Sequence, residues 1–185
     1  MKTQTNTPIY WTLLSHEDWT LPIAATTAGL CYVGSPHAPA TELTDWAHAR
    51  YPGRRLMEDD EHLAPYRQEL IEYLEGTRRA FTLPFDVQGT PFQQDVWKAL
   101  CGIPYGETTS YSAIAAQIQR PKAVRAVGTA IGANPVLMTI PCHRVIGKGG
   151  ALTGYRGGIT MKTRLLELER LASGTRGEGI PYGNL

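Results

Sequence analysis

The sequence predicts an α+β chain: a small antiparallel sheet with helices, followed by a mostly helical half organised around a helix-turn-helix. Three observations predict it. Short apolar runs bounded by polar turns fill the beginning of the chain. The texture changes near Gly89, after which capped helical segments dominate. Two short helical patterns then follow each other across Arg120-Pro121, in the proportions of a helix-turn-helix.

Taken in order, Ile9 to Leu14, Leu21 to Thr26 and Gly29 to Val33 read as strands. Thr41 is a candidate cap for a helix reaching Arg50, which the Tyr51-Pro52-Gly53 turn ends. His62 to Glu75 reads as an amphipathic helix, with Leu63, Tyr66, Leu70, Ile71 and Leu74 at helical spacing and Gly76 as its stop. Phe81 to Val87 reads as extended. Thr90 and Pro91 suit the cap and first position of a helix that presents Phe92, Val96, Trp97 and Leu100 on one face. Gly102 to Thr109 is a turn-rich loop, and Ser110 caps a helix from Tyr111 to about Ile118. Lys122 to about Gly132 forms the second helix of the pair, ended by Asn134-Pro135. Val145 to Leu152 reads as a hairpin or looped turn, Thr160 to about Leu171 as an amphipathic helix, and Ser173 to Leu185 as a mobile tail. The expected division is 1–88, 89–172 and the tail 173–185.

Composition narrows the function classes. The chain has 185 residues, 42% of them hydrophobic, enough for one large or two small cores. A formal net charge of +1 confines any nucleic-acid surface to a local patch. Cys31, Cys101 and Cys142 are odd in number and irregularly spaced, which argues for free thiols in a reducing compartment, and a cytoplasmic location is expected. Met1 to Pro8 lacks the apolar segment of a secretion signal, and no apolar run approaches membrane-spanning length. With no CxxC pair, and with Cys31, His37, His48 and His62 lacking ligand spacing, no metal and no cofactor are expected.

The strongest chemical signal is Pro141-Cys142-His143-Arg144-Val145. Cationic neighbours lower a thiol pKa, and the thiolate is the nucleophile. Cys142 and His143 therefore make a candidate nucleophile and base. Such a base is usually oriented by an acid. Glu167 and Glu169 both lie on the last helix, and the periodicity of Leu165 and Leu166 favours Glu169. The helix after Pro121 is the second signal. Ala123, Ala126, Gly128, Thr129, Ala130 and Gly132 are small, and glycine weakens a helix, so two glycines there require a reason. Few of its side chains could read base edges in a major groove. Small residues with one long cation, Arg125, instead fit close approach to a minor groove and replacement of an extruded base.

These motifs together resemble the O6-alkylguanine-DNA alkyltransferases, also called methylated-DNA–protein-cysteine methyltransferases. The likeness runs from Thr90-Pro91-Phe92-Gln93 with Val96-Trp97, through Ile103 to Thr108 and Ser110-Tyr111, to Ala123 to Gly128 and Asn134-Pro135. It continues through Cys142 to Tyr155, Gly157-Gly158, Lys162 and Leu165 to Glu169. The resemblance implies a ribonuclease H-like first domain and a winged-helix-like second one. It implies that Cys142 is the alkyl acceptor, His143 its base through a water, and Glu169 the residue orienting His143. Tyr111 would bond the flipped guanine, and Arg125 would act as the finger on a DNA-contacting helix with Ala123, Ala126, Gly128 and Thr129. Asn134 would brace the hinge. Pro141, Val145, Tyr155, Arg156 and Ile159 would shape the guanine pocket, with the Arg156 side chain free to project outward. The implied partner is double-stranded DNA carrying O6-alkylguanine, bound through the minor groove by a monomer; O4-alkylthymine stays open as a second substrate. Some relatives bind zinc in the first half, which this sequence does not suggest. Three other readings compete: a non-catalytic lesion binder, a thiol hydrolase with a Cys-His-Glu triad, and a sequence-reading transcription factor. The presence of Cys142, the Arg125 helix and the scarcity of base-reading side chains count against them in turn.

Overall fold

The computed structural model describes residues 7–174. Three strands, β1 (Ile9–His16), β2 (Trp19–Ala25) and β3 (Leu30–Val33), form an antiparallel meander. The sheet is mixed rather than purely antiparallel. A fourth strand, β4 (Leu56–Glu58), lies parallel to β1, giving the order β3-β2-β1-β4. Three residues are too few to show an alternating pattern, so β4 leaves no sequence signal.

Two helices accompany this sheet. In α1 (Thr41–Arg50) the cap position is Ala40 and makes no side-chain bond; Thr41 is the first helical residue and not the cap. In α2 (Asp60–Leu74) the Asp59 carboxylate accepts the His62 amide at 2.9 Å. That cap starts the helix two residues before His62. Pro65 lies inside the helix, one turn past its free amides, and leaves the Glu61 carbonyl without a helical donor. Phe81 to Val87 forms no strand; it touches the sheet through a single Leu30–Phe85 bridge.

The second half follows its capping signals closely. Helix α3 (Pro91–Cys101) opens with a reciprocal box between Thr90 and Gln93. After a loop, β5 (Thr109–Ser110) leads into α4 (Tyr111–Gln117), where the Ser110 hydroxyl accepts the Ala113 amide. Helix α5 (Val124–Gly132) begins two residues later than Lys122. A short 3-10 turn, Cys142–Arg144, precedes β6 (Val145–Ile146). β6 pairs in parallel with β5 rather than folding into a hairpin. The Gly147 amide then closes the looped turn on the Ala151 carbonyl at 2.7 Å. Helix α6 (Ile159–Ser173) ends at Gly174. Residues 175–185 of the expected tail lie outside the described residues, and Ser173 itself is helical.

One buried core runs through both halves, joining Leu14, Leu21, Leu63 and Leu70 to Val96, Trp97, Val127 and Leu165. Backbone pairing also crosses between them. The Val33 amide donates to the Pro135 carbonyl at 2.9 Å, so β3 holds the segment that leads from α5 to Cys142. The Trp97 indole donates to the Ala130 carbonyl at 2.8 Å and fixes α5 on α3. Buried indoles need such a partner.

Candidate active site

Cys142 stands at the start of the 3-10 turn, between the end of α5 and the buried face of α6. It is 3% exposed, while His143 and Glu169 are fully buried. Asn134, just past α5, spans the approach to the turn. Its side-chain amide reaches the Ile140 carbonyl at 3.0 Å and the Cys142 Sγ at 3.1 Å, and its oxygen accepts the Val136 amide at 3.0 Å. One side chain thus sets the path of the segment and places a donor on the sulfur.

Glu169 is the hub on the other side. His143 Nε2 lies 2.7 Å from Glu169 Oε1. Arg144 grips both carboxylate oxygens, at 2.9 Å from Nη2 to Oε1 and 2.9 Å from Nε to Oε2. The Gly106 amide donates to Oε2 at 3.1 Å. Tyr73 Oη donates to Oε1 at 2.5 Å and stands 3.2 Å from His143 Nε2. His143 Nδ1 is buried with no hydrogen-bond partner among the described residues. Pairing Nε2 with a carboxylate places the proton there and leaves Nδ1 as the basic nitrogen.

The protonation states follow from these contacts. Burial works against the Glu169 charge, yet hydrogen bonds from His143 and Arg144, with the Arg144 charge, hold its carboxyl at about 2. Burial lowers the His143 pKa despite its carboxylate partner, so the resting imidazole is neutral. Burial likewise raises the Cys142 thiol, against the Asn134 hydrogen bond and the charges of Arg156 and Lys162. The resting group is therefore a thiol, which corrects the expectation of a thiol activated by its cationic neighbours. Arg144, the adjacent cation, is committed to Glu169 and to the Ile103 carbonyl at 2.6 Å. A buried neutral thiol, a donor on its sulfur and a neutral base with a free nitrogen can generate a nucleophile on demand.

Comparisons with known proteins give the family. A family model described as 6-O-methylguanine DNA methyltransferase, ribonuclease-like domain, matches residues 9–87. Another, described as the DNA binding domain of the same family, matches residues 91–171. The chain belongs to the 6-O-methylguanine DNA methyltransferase family. It is 60% identical over 171 residues to the inducible methylated-DNA–protein-cysteine methyltransferase of Bacillus subtilis, covering 92% of this chain and 96% of that one. The crystal structure of Mycobacterium tuberculosis OGT in complex with DNA superposes with a TM-score of 0.77 at 38% identity, over 88% of this chain and 94% of that one. An O6-methylguanine DNA methyltransferase from Methanococcus jannaschii gives a TM-score of 0.59 at 25% identity, over 86% and 93%. The mixed sheet with its helices and the helical second half is the fold of these methyltransferases.

The remaining expected residues fall into two places. Tyr111 begins α4, and its hydroxyl accepts from Thr153 Oγ1 at 3.2 Å. It borders a cleft of about 750 Å³ that is also lined by Ser112, Val124, Ile146, Gly147 and Lys148. Arg125, Ala126 and Thr129 are exposed on the outer face of α5, with Ala123 and Gly128 half-buried beside them. The Arg125 guanidinium has no partner among the described residues. An added Cβ at Gly132 would meet nothing within 4 Å, and at Gly128 only the Tyr111 ring at 3.8 Å. Internal packing does not demand glycine at either position.

Around the thiol, Val145 is buried, and Tyr155 turns a buried hydroxyl toward Cys142 without reaching hydrogen-bond geometry. Pro141 leads into the 3-10 turn, while Ile159, at the start of α6, is exposed. Arg156 departs most from expectation. Its side chain neither lines a pocket with Cys142 nor projects outward. It clamps the hinge to the first half, donating to the carbonyls of Asn134 at 3.0 Å, Pro135 at 3.0 Å and Val33 at 2.7 Å, and pairing with Glu42 at 3.0 Å. Gly157 after it packs closely: a Cβ there would stand 2.3 Å from Met161 Sδ and would displace that side chain.

Two residues of the site were given no role from sequence. Tyr73 comes from α2, in the other half of the chain. Lys162 is buried and donates to the carbonyls of Val145 at 2.6 Å and Thr153 at 3.1 Å, bracing the strand after the active-site turn. Burial lowers its ammonium to about 8. Glu167, the other candidate acid, pairs with Arg170 on the outside of α6. Among the described residues no three His, Cys, Asp or Glu side chains are grouped to hold a metal ion. His62 instead stacks on Tyr10, and burial pushes the Cys31 thiol up to about 12. No helix among the described residues is long and apolar enough to cross a membrane.

Proposed function

We infer that this protein repairs alkylated DNA by direct reversal, moving the alkyl group of O6-alkylguanine to its own Cys142. The observation that carries this reading is the buried Asn134–Cys142–His143–Glu169 constellation in a chain of this family. The thiol proton passes through a water to His143 Nδ1, and Glu169 stabilises the imidazolium that forms. The thiolate then displaces guanine from the alkyl carbon. The new S–C bond forms as the C–O6 bond breaks, and the electron pair leaves on the purine. A hydrogen bond from Tyr111 to the purine lowers that barrier. The product thioether offers water no acyl carbon to attack, so each molecule acts once.

DNA is read from outside this core. The small-residue face of α5 fits the minor groove, and Arg125 fits the gap left by an extruded base. Phosphate contacts make binding salt-sensitive and largely independent of sequence. We further propose that the protein acts as a monomer in the cytoplasm, a setting that suits three free thiols. The deciding measurement is intact mass after mixing with a duplex carrying one O6-methylguanine. The expected gain is about one methylene, saturating at one per molecule and mapping to Cys142. Tight binding without a mass change would replace this reading with a non-catalytic lesion binder.

A further inference from the structure

The first half of the chain contributes an atom to the alkyl-transfer site. Tyr73 is fully buried near the end of α2, where its ring packs on Phe81 at 5.4 Å and Tyr105 at 6.1 Å between centroids. Its hydroxyl does not take a nearby backbone carbonyl. It donates to Glu169 Oε1 at 2.5 Å, across a sequence separation of 96 residues, and lies 3.2 Å from His143 Nε2. The oxygen it meets is the same one that faces the imidazole.

We propose that Tyr73 is a positioning residue for alkyl transfer: its hydroxyl fixes the Glu169 carboxylate against His143 and limits the pull of that carboxylate on the imidazole. The proposal rests on the alkyl-transfer reading above. Packing alone would be served by phenylalanine, so the hydroxyl is the informative group. A buried phenol must find an acceptor, and a carboxylate is the strongest one within reach. Each donor to Oε1 shares its lone-pair density. Removing one leaves more negative charge for the others to feel. The groups facing this pair are Arg144 from the 3-10 turn, Lys162 from α6 and Tyr105 from the loop after α3, with Arg79 beyond the Tyr105 ring. None of them contributes a neutral donor to Oε1, so none replaces the Tyr73 hydroxyl.

The sign of the effect is fixed. His143 must be neutral to accept the thiol proton. Without the Tyr73 hydroxyl the carboxylate favours imidazolium more strongly, and His143 titrates at higher pH. The acid limb of the transfer rate therefore moves upward, and a looser carboxylate lowers the plateau.

The experiment is Tyr73→Phe in the full chain, with Phe81→Leu as a repacking control. Three quantities are read: the single-turnover transfer rate against pH on an O6-methylguanine duplex, the Kd for that duplex, and the titration of His143 ring nitrogens by 15N NMR in unreacted protein. The expected result is a plateau lowered roughly tenfold. The acid limb and the His143 titration both move to higher pH, and Kd is unchanged. Phe81→Leu leaves limb and titration where they were. A Tyr73→Phe protein with unshifted limb and titration overturns the proposal, even if its rate falls, because the loss is then one of packing. Failure of the wild-type protein to alkylate Cys142 would sink the alkyl-transfer reading instead, while the His143 titration still reports on the Tyr73 contact.

Discussion

The site around Cys142 and the outer face of α5 are built on opposite terms. Around Cys142 the charged side chains Glu169, Arg144 and Lys162 are committed to partners. Glu169 alone takes donors from Tyr73, His143, Arg144 and Gly106. On α5 the outward residues are small, and Arg125 is unpaired among the described residues. Reaction chemistry needs groups that do not move, and a dense buried network holds them. Contact with a large partner needs a surface that is not already spoken for. Among the described residues nothing uses the Arg125 donors.

The contrast predicts separable losses. Cys142→Ala has the largest effect: transfer vanishes while duplex affinity stays within about twofold, measured by intact mass and by anisotropy. Alkylation of any other residue would break the separation. Glu169→Gln should cost both chemistry and stability, because Arg144 loses its buried partner; about 3 kcal/mol is expected from urea unfolding at neutral pH. The pH dependence has a definite sign. A carboxyl held at about 2 when folded and near 4.3 when unfolded stabilises fully above the unfolded value, and that stabilisation fades as pH falls toward 2. Glu169→Gln should therefore lose less stability than wild type between about pH 5 and 2.

Arg125→Ala should do the reverse of Glu169→Gln. Repair of duplex slows about tenfold, reaction with the free alkylated base is unchanged, and the urea midpoint does not move. Equal slowing on both substrates would show that Arg125 serves the chemistry rather than the groove. Thr90→Ala is the smallest change. Losing the α3 cap costs about 1 kcal/mol in unfolding and leaves both activities alone.

Much of this was legible in the sequence, and the reason differs by element. The caps of α3 and α4 were exposed by local chemistry, since the Thr90 and Ser110 hydroxyls accept amides three residues away and Pro91 suits the first helical position. Strand β4 was not, because it has three residues and its partner lies elsewhere in the chain. Cys142 and His143 announced themselves as neighbours. Glu169 emerged from periodicity over Glu167, and the structure buries one and exposes the other's pair to solvent. Tyr73 had a signal that went unused. Leu63, Tyr66 and Leu70 continue to Tyr73 at a three-four spacing along one face of α2, as they also continue to Ile71 and Leu74. No local rule, however, says that such a tyrosine meets a carboxylate on α6. Arg156 was illegible for the same reason: its acceptors are carbonyls of Val33, Asn134 and Pro135, and backbone groups carry no residue-type signature.

A molecule that reacts once must also survive the wait. Cys142 is nearly sealed from solvent, and burial keeps it protonated. Oxidants and stray electrophiles attack thiolates they can reach, so the acceptor is a poor target until a base is delivered to it. Cys101, at the exposed end of α3, is the most accessible thiol among the described residues, although partial burial raises its pKa as well. The burial that makes Cys142 sluggish at rest gives the unspent protein its shelf life.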